Sequence, residues 1–392
     1  MIKIWPINLS SGFRWLSMAV MFSLMILFQH QPALALSPSD SSSPIPTAAM
    51  KLVQFCADPK VGLDAHAAAT LVDYVLGPKL NKEADLPKIQ ECTGAYYEFD
   101  TKITFPRFLK YAYNPQIPAT LTRPSSMRYS LWTDPRGKSH KMPNEWRLAS
   151  PGGEPVIIHG LQHDSNTPDL TTGVYHEYDL KRTLIHLNHR GRQVLISISK
   201  QVNQSDVGKK GVILGNDDDW NYYYSGEAGS FKAGMGWVKS YIYDFFSVGV
   251  YVETGTSPSL VRIGTFQWIR AGWSGINFVQ TGHITNGMKR YARNFKTILE
   301  SPHLPTPNQM ISTYQRLSAL PNRDLIEKYA ALQQAQESLA VQAGKIGTAE
   351  IKRQGSYAHI PKEQIVEELM VEYLKMTLGK PSLVEKSHFG PS

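Results

Sequence analysis

Two short runs place imidazoles and carboxylates side by side: "HGLQHD", with His159, His163 and Asp164, and "HEYD", with His176, Glu177 and Asp179. On a strand, positions four apart share a face, so His159 and His163 could offer two nitrogen ligands to a metal. Gly160 and the following "DSNTP" instead put His163 at the start of a loop, and ordinary rim histidines are the simpler reading. No metal and no cofactor is therefore expected. Glu177 and Asp179, two apart on one strand face, could share acid–base work. Outward-facing carboxylates that keep the surface soluble are the expected reading. A hydrolase-like use of His159, His163, His176 and Glu177 is the enzymatic alternative, and no catalytic residue is assigned. "DDDW", Asp217 to Trp220, raises a divalent cation, but calcium loops alternate their oxygen ligands around a glycine, and this run does not. A solvated loop is expected there. No G-x-S-x-G, Walker A, G-x-G-x-x-G or H-E-x-x-H occurs, so the chain leans away from an enzyme.

The N-terminus reads as an address. Lys3 and Arg14 precede an apolar run from Leu16 to Phe28, followed by Ala33-Leu34-Ala35, the small-x-small pattern of a signal-peptidase site. The run is about 13 residues, short of the roughly 20 that span a bilayer, although an uncleaved anchor is the alternative. Cleavage near Ala35 would make this an exported chain, periplasmic or secreted. Losing two cations takes the formal charge from +8 to +6. That permits transient contact with an anionic membrane surface but supplies no basic–aromatic stripe for nucleic acid. Cys56 and Cys92 are the two cysteines. In an exported chain they favour one disulfide, worth about 4 kcal/mol in the chain-entropy account, over two buried thiols.

Residues 36–46 form a Ser/Pro linker. Residues 47–100 read as a small helical unit, with "AAMKLVQFC", "LDAHAAATLVDYVLG" and a short third helix over "DLPKIQEC". From 101 to 303 the texture is strands and turns, and 304–392 is a helical extension. "TLIHLNHRGRQVLISISK" is the clearest hairpin, turning at Asn188 to Gly191. No helices alternate with the strands, which predicts an antiparallel sheet and an α+β class. In "SYIYDFFSVGVYVE", Tyr241, Tyr243, Phe245, Ser247 and Tyr251 share one face. Ile242, Phe246, Val248, Val250 and Val252 share the other. In "LVRIGTFQWIRAG", Val261, Ile263 and Ile269 oppose Phe266 and Trp268. Apolar bulk on both faces predicts a sheet that is covered twice or curls around something.

One helix closes this segment. Over Ile284 to Leu299, spacing at 100° gathers Ile284, Met288, Tyr291, Ala292, Phe295, Ile298 and Leu299 on a stripe of about 120°. Lys289, Arg290, Arg293 and Lys296 fall opposite. Thr281 is the expected N-cap and Pro302 the stop. Burying five large side chains is worth on the order of 10 kcal/mol, against about 1 kcal/mol per cation on anionic lipid. The stripe should therefore pack on the sheet, with the basic face solvated.

Antiparallel strands, a turn containing "AGWSGINFV" and a closing amphipathic helix resemble the helix-grip fold of the START-like (SRPBCC) superfamily. The resemblance covers about 101–303 and is one of pattern, without a family motif; the insert around "GNDDDWNYYYSGEAGSFKAGMGW" is longer than that pattern expects. It implies a curved sheet gripping the helix, and a cavity that holds a lipid or other hydrophobic small molecule. Tyr243, Phe245, Phe266 and Trp268 would then line it from the sheet, and Met288, Tyr291 and Phe295 from the helix. An envelope interaction module, docking partners through helices at 324–342 and 361–378, is a third possibility.

Overall fold

The computed structural model describes residues 43–133, 146–232, 236–346 and 357–389. The expected signal segment and most of the Ser/Pro linker lie outside them. The first helix, α1 (Pro44–Ala57), starts at the proline that pre-sets its first turn and buries Ile45, Ala49, Leu52, Val53 and Cys56 on one stripe. Helix α2 (Ala65–Val75) is capped by Asp64, whose carboxylate accepts the Ala67 N–H at 2.8 Å.

The predicted third helix is a strand. Leu86 and Ile89 lie three apart and so mimic a helical period, but the segment is β1 (Glu83–Ile89), paired antiparallel with β2 (Cys92–Thr101). Gln90 and Glu91 both take positive φ, which makes the two-residue turn between them. Pro87 is tolerated because β1 is an edge strand.

Six more strands complete the main sheet: β3 (Met127–Thr133), β4 (Val156–Asn166), β6 (Glu177–His189), β7 (Arg192–Gln201), β12 (Tyr241–Thr256) and β13 (Ser259–Gly272). The order is β1-β2-β13-β12-β7-β6-β4-β3, antiparallel throughout. The β6–β7 hairpin turns at Arg190-Gly191, both at positive φ, as the sequence indicates. A small second sheet, β5 (Val174–Tyr175), β8 (Lys209–Ile213) and β9 (Tyr222–Ala228), pairs in the order β5-β8-β9, and β10 (Ser230–Lys232) pairs with β11 (Gly236–Val238). The class is α+β: a curled antiparallel sheet with a long amphipathic helix, in a helix-grip-like arrangement. Among the described residues no helix is long and apolar enough to cross a membrane.

Both faces of the sheet are covered. On the outer face Val248 pairs with Phe266 and Phe246 with Trp268, and α1 and α2 seal them together with Ile196 and Ile198. The Trp268 indole stacks on Phe246 at 5.4 Å and donates to the Pro87 carbonyl at 2.9 Å. It also lies over Gly94, where a Cβ would stand 2.4 Å from the indole nitrogen, so only glycine fits beneath it. The inner face carries Phe99, Leu195, Tyr251 and Ile263, which join a core with α3 (Phe105–Ala112), α4 (Thr281–Leu299), α5 (Pro307–Ala319), α6 (Asn322–Gln342) and α7 (Lys362–Thr377). The three C-terminal helices are thus built into the core and are not a loose extension. Tyr329 on α6 and Leu369 and Leu374 on α7 are fully buried.

The disulfide expectation is overturned. Cys56 and Cys92 are buried free thiols. Cys56 Sγ faces the Lys181 and Ile198 carbonyls, at 3.4 and 3.8 Å, and Cys92 Sγ faces the Gln90 carbonyl at 3.7 Å. The reason is placement: α1 carries Cys56 over β6 and β7, whereas Cys92 opens β2 beside the sheet edge. Burial pushes the Cys92 thiol up to about 12 and raises Cys56 as well, which suits packing and not nucleophilic chemistry.

Helix α4 buries the predicted stripe, with Tyr291 half-buried, but its N-cap is Gln280 in a capping box with His283 instead of Thr281. Its basic face is not simply solvated. Arg290 is 6 % exposed and chelates both oxygens of Asp217, the Nε–Oδ2 distance being 2.8 Å. It also donates to Tyr222 Oη at 3.0 Å, and to Thr167 Oγ1 and the Pro168 carbonyl, each at 3.3 Å. Arg293 Nε meets Asp218 Oδ1 at 2.8 Å, and Lys289 meets Glu83 at 2.6 Å. The acidic "DDD" turn, expected to be solvated, is therefore the counter-charge for the helix.

Two measurements test this packing. Trp268→Ala should cost roughly 3–5 kcal/mol, read as a lower urea midpoint. Asp217→Asn should cost roughly 3 kcal/mol, because Arg290 stays buried without its full partner; an unchanged melting profile would show that α4 is held by its apolar stripe alone.

Candidate functional site

The histidine–carboxylate runs do not converge. Residues 159 and 163 both lie on β4, His163 being within the strand rather than in a loop, and both point to the outer face. Their partners differ: His159 Nδ1 meets Thr183 Oγ1 and His163 Nδ1 meets Asp179, each at 2.8 Å. His176 is buried at the start of the β5–β6 connection, and burial lowers it to about 4. Glu177 is paired with Lys209 at 3.0 Å. Among the described residues no group of three or more His, Cys, Asp or Glu stands close enough to hold a metal.

The ligand residues read from the sequence divide between the two faces. Phe266 and Trp268 belong to the outer core beneath α1 and α2 and cannot face α4; the register with Val248 and Phe246 fixes this. Phe245 lies on the inner face, half-buried, whereas Tyr243 falls at the bulge between Ile242 and Asp244 and its ring lies under the Arg270 guanidinium at 5.3 Å, on the outer side. Met288 packs with Ala95 and Ile284 beside β2, while Tyr291 and Phe295 pack on Phe99 at 5.9 and 6.0 Å.

What the inner face assembles is a polar floor. Strand register lines up Gly160 on β4, Arg182 on β6, Ser199 on β7, Ser247 on β12 and Gln267 on β13, with Ser197, Gly249 and Thr265 in the adjoining row. On one side stands the aromatic band of Leu195, Tyr251, Ile263 and Phe99, fully packed. In the floor, however, Arg182, Ser247, Thr265 and Gln267 keep accessible surface, as do Tyr178, Phe245 and Tyr291 around it. Trp132 closes one end by lying over Gly160, where a Cβ would meet its ring at 2.0 Å.

Arg182 lies along the floor and donates to Ser199 and Ser197 Oγ at 2.5 and 2.7 Å. Arg123, from the short 3-10 turn ending at Thr122, acts on the phenols of Tyr178 and Tyr291, and so does Arg182. Burial raises Tyr178, Tyr251 and Tyr291, so these phenols stay protonated and able to donate. Two acids stand behind Arg123. Asp164 Oδ1 accepts from Ser130 Oγ at 2.7 Å. Glu367, on α7, accepts from the Ser130 N–H at 3.1 Å and Thr120 Oγ1 at 3.3 Å. Burial first, with Asp164 nearby, pushes Glu367 up to about 8.

A cleft above such a floor would hold a guest by its polar end and enclose the remainder against aromatic and aliphatic walls. A polar cavity between α6, α7 and β9 is about 30 Å³ and is lined by Arg128, Tyr224, Gln336 and Glu368, among others. It has room for about one water. Arg123, Arg182, Tyr178 and Glu367 are absent from the sequence-based site. Arg182 alone left a signal, as a charge between Leu180 and Leu184 on an otherwise apolar strand face.

Glu367 also sets a pH dependence. Its folded pKa of about 8 lies above the unfolded value, so folding is favoured below pH ~4.5 and that advantage is lost as pH rises towards 8. Glu367→Gln should therefore raise stability at pH 8 relative to pH 5, by about 1–3 kcal/mol, in paired urea melts. Parallel pH profiles for the two proteins would contradict this.

No family model matches this chain, and neither does any curated protein sequence. Among solved structures it is similar to the human StarD13 (DLC2) lipid transfer and protein localization domain, at 9% identity, over 60% of this chain and 98% of that one, with a TM-score of 0.26. At that score the likeness bears on neither ligand nor activity.

Proposed function

We propose that this chain binds a hydrophobic small molecule or lipid in the cleft between the inner face of the sheet and α4, and that it does so as an exported protein. The observation that carries the first part is the unfilled floor. Ser247, Thr265, Gln267, Arg182 and Tyr178 keep accessible surface on a face whose flank is fully packed, beside a helix that packs on β2 and buries its stripe. A face meant only for packing would place apolar bulk there, as the outer face does with Phe266 and Trp268. Export rests on the Leu16–Phe28 run and Ala33-Leu34-Ala35. The basic face of α4 lends no support to a membrane-adsorbing surface, because Lys289, Arg290 and Arg293 each meet a carboxylate.

Ser247→Trp, at the centre of the floor, should fill the cleft. Native mass spectrometry of the unaltered protein should find a co-purifying apolar guest, and the variant should lose it together with Nile red binding while its circular dichroism is unchanged. An unaltered protein that carries no guest and binds no Nile red would sink the reading.

A further inference from the structure

The cleft differs from the rest of the interior in how its arginines are satisfied. Elsewhere each interior guanidinium has a carboxylate: Arg128 meets Glu368 at 2.9 Å, Arg262 meets Asp100 at 2.8 Å, and Arg290 chelates Asp217. That is the ordinary requirement for a cation withdrawn from water. Arg123 and Arg182 break the pattern. Among the described residues neither has a carboxylate within ion-pair distance; Arg182 has two serine hydroxyls and Arg123 has neighbouring phenols. The two nearby acids are turned to other donors, Asp164 to Ser130 and Glu367 to Ser130 and Thr120.

Resting on the reading of the cleft as a hydrophobic binding site, we propose that its guest is an amphiphile with one negative charge, a long-chain carboxylic acid, whose carboxylate is received by Arg123 and Arg182 beside Tyr178 and Tyr291. Tyr178 and Arg182 share the inner face of β6, the turn that leads into Arg123 packs against α4, which carries Tyr291, and both guanidiniums act electrostatically on these two phenols. A guanidinium fork matches a carboxylate with two parallel hydrogen bonds, and protonated phenols can complete its shell. Phe245 and Ile269, on the same face and half-buried, lie where an alkyl chain would run. The charge count favours a monoanion: with Glu367 protonated, two cations face Asp164 alone, which leaves one positive charge to be met. A dianionic phosphate monoester would overshoot it.

The test uses the full chain after delipidation, titrated with the fluorescent cis-parinaric acid and with its methyl ester, which differ in the charge and not in the chain. The acid should bind at least about tenfold more tightly, the scale of charge-assisted hydrogen bonds in a partly desolvated site. In Arg123→Met that preference should shrink to about twofold, with ester binding unchanged; Arg123→Lys, which keeps the charge and loses the fork, should fall between and guards against a misfolded methionine variant. Equal binding of acid and ester by the unaltered protein overturns the carboxylate assignment and leaves the cleft reading standing. Binding of neither overturns both. Hexadecyl phosphate displacing the acid more tightly than palmitate does would overturn the single-charge argument.

Discussion

The buried pair of Arg290 and Asp217 is the constraint on which the arrangement of the inner face depends. One guanidinium ties α4 to the turn before β9, to Tyr222 on that strand, and to Thr167 and Pro168 after β4. Neighbouring contacts extend the tie. Trp220 donates its indole N–H to the buried Asn294 at 2.6 Å, and Lys380 reaches the Asp218 carbonyl at 2.6 Å from beyond α7. An apolar stripe can slide along a sheet at modest cost, because dispersion and burial are non-directional. A bidentate ion pair at fixed geometry cannot, so it sets the depth and register of α4 above the floor.

With α4 pinned, the two faces of the sheet become unequal. The outer face is finished by packing: Tyr96, Phe246, Phe266 and Trp268 interlock under α1 and α2, and Gly94 makes way for the indole. The inner face is finished by α7, a helix buried nearly all round although it carries Glu367, Glu368, Glu372 and Lys375. Each is tied in place: Glu367 accepts from Ser130 and Thr120, Glu368 meets Arg128 and Tyr329, Glu372 meets Lys375 and the Leu383 N–H, and Lys375 also meets Asn221. Such a helix gains little in stability over an apolar one, since desolvation offsets most of the attraction. What the charged side chains add is direction, holding the wall opposite β3 and β4 in one place.

The periodic part of this structure was legible in the sequence. The stripe of α4, the β6–β7 hairpin and the alternation in β12 and β13 follow from spacing alone, because each is decided by neighbours within a few residues. Partners distant in sequence were not legible. Arg290 and Asp217 lie 73 positions apart, so helix and acidic turn each read as solvated although each is the other's counter-charge. For the same reason the sequence groups Phe266 and Trp268 with Tyr243 and Phe245: alternation separates two faces but does not say which one the helix takes. Arg123 carries no local signal at all, and Glu367 reads as one of several acids on a helix whose extensive burial no amphipathic pattern announces.

Serines and threonines on the covered face of a sheet are a poor packing solution. A hydroxyl taken from water needs a partner, and it contributes little apolar area in return. The outer core contains no such row, so the sequence plainly supports aromatic and β-branched filling on the same strands. Ser197 and Ser199 occupy β7 positions alternating with Val194, Ile196 and Ile198, and their hydroxyls are engaged by Arg182. The small residues therefore do two things at once: they leave space above the sheet and they hold a guanidinium flat along the edge of that space. Both are wasted in a closed core and both are useful to a guest with a polar end. The polarity of the floor is thus a stronger argument for binding than its accessibility, because imperfect packing alone would leave a void lined by methyl groups.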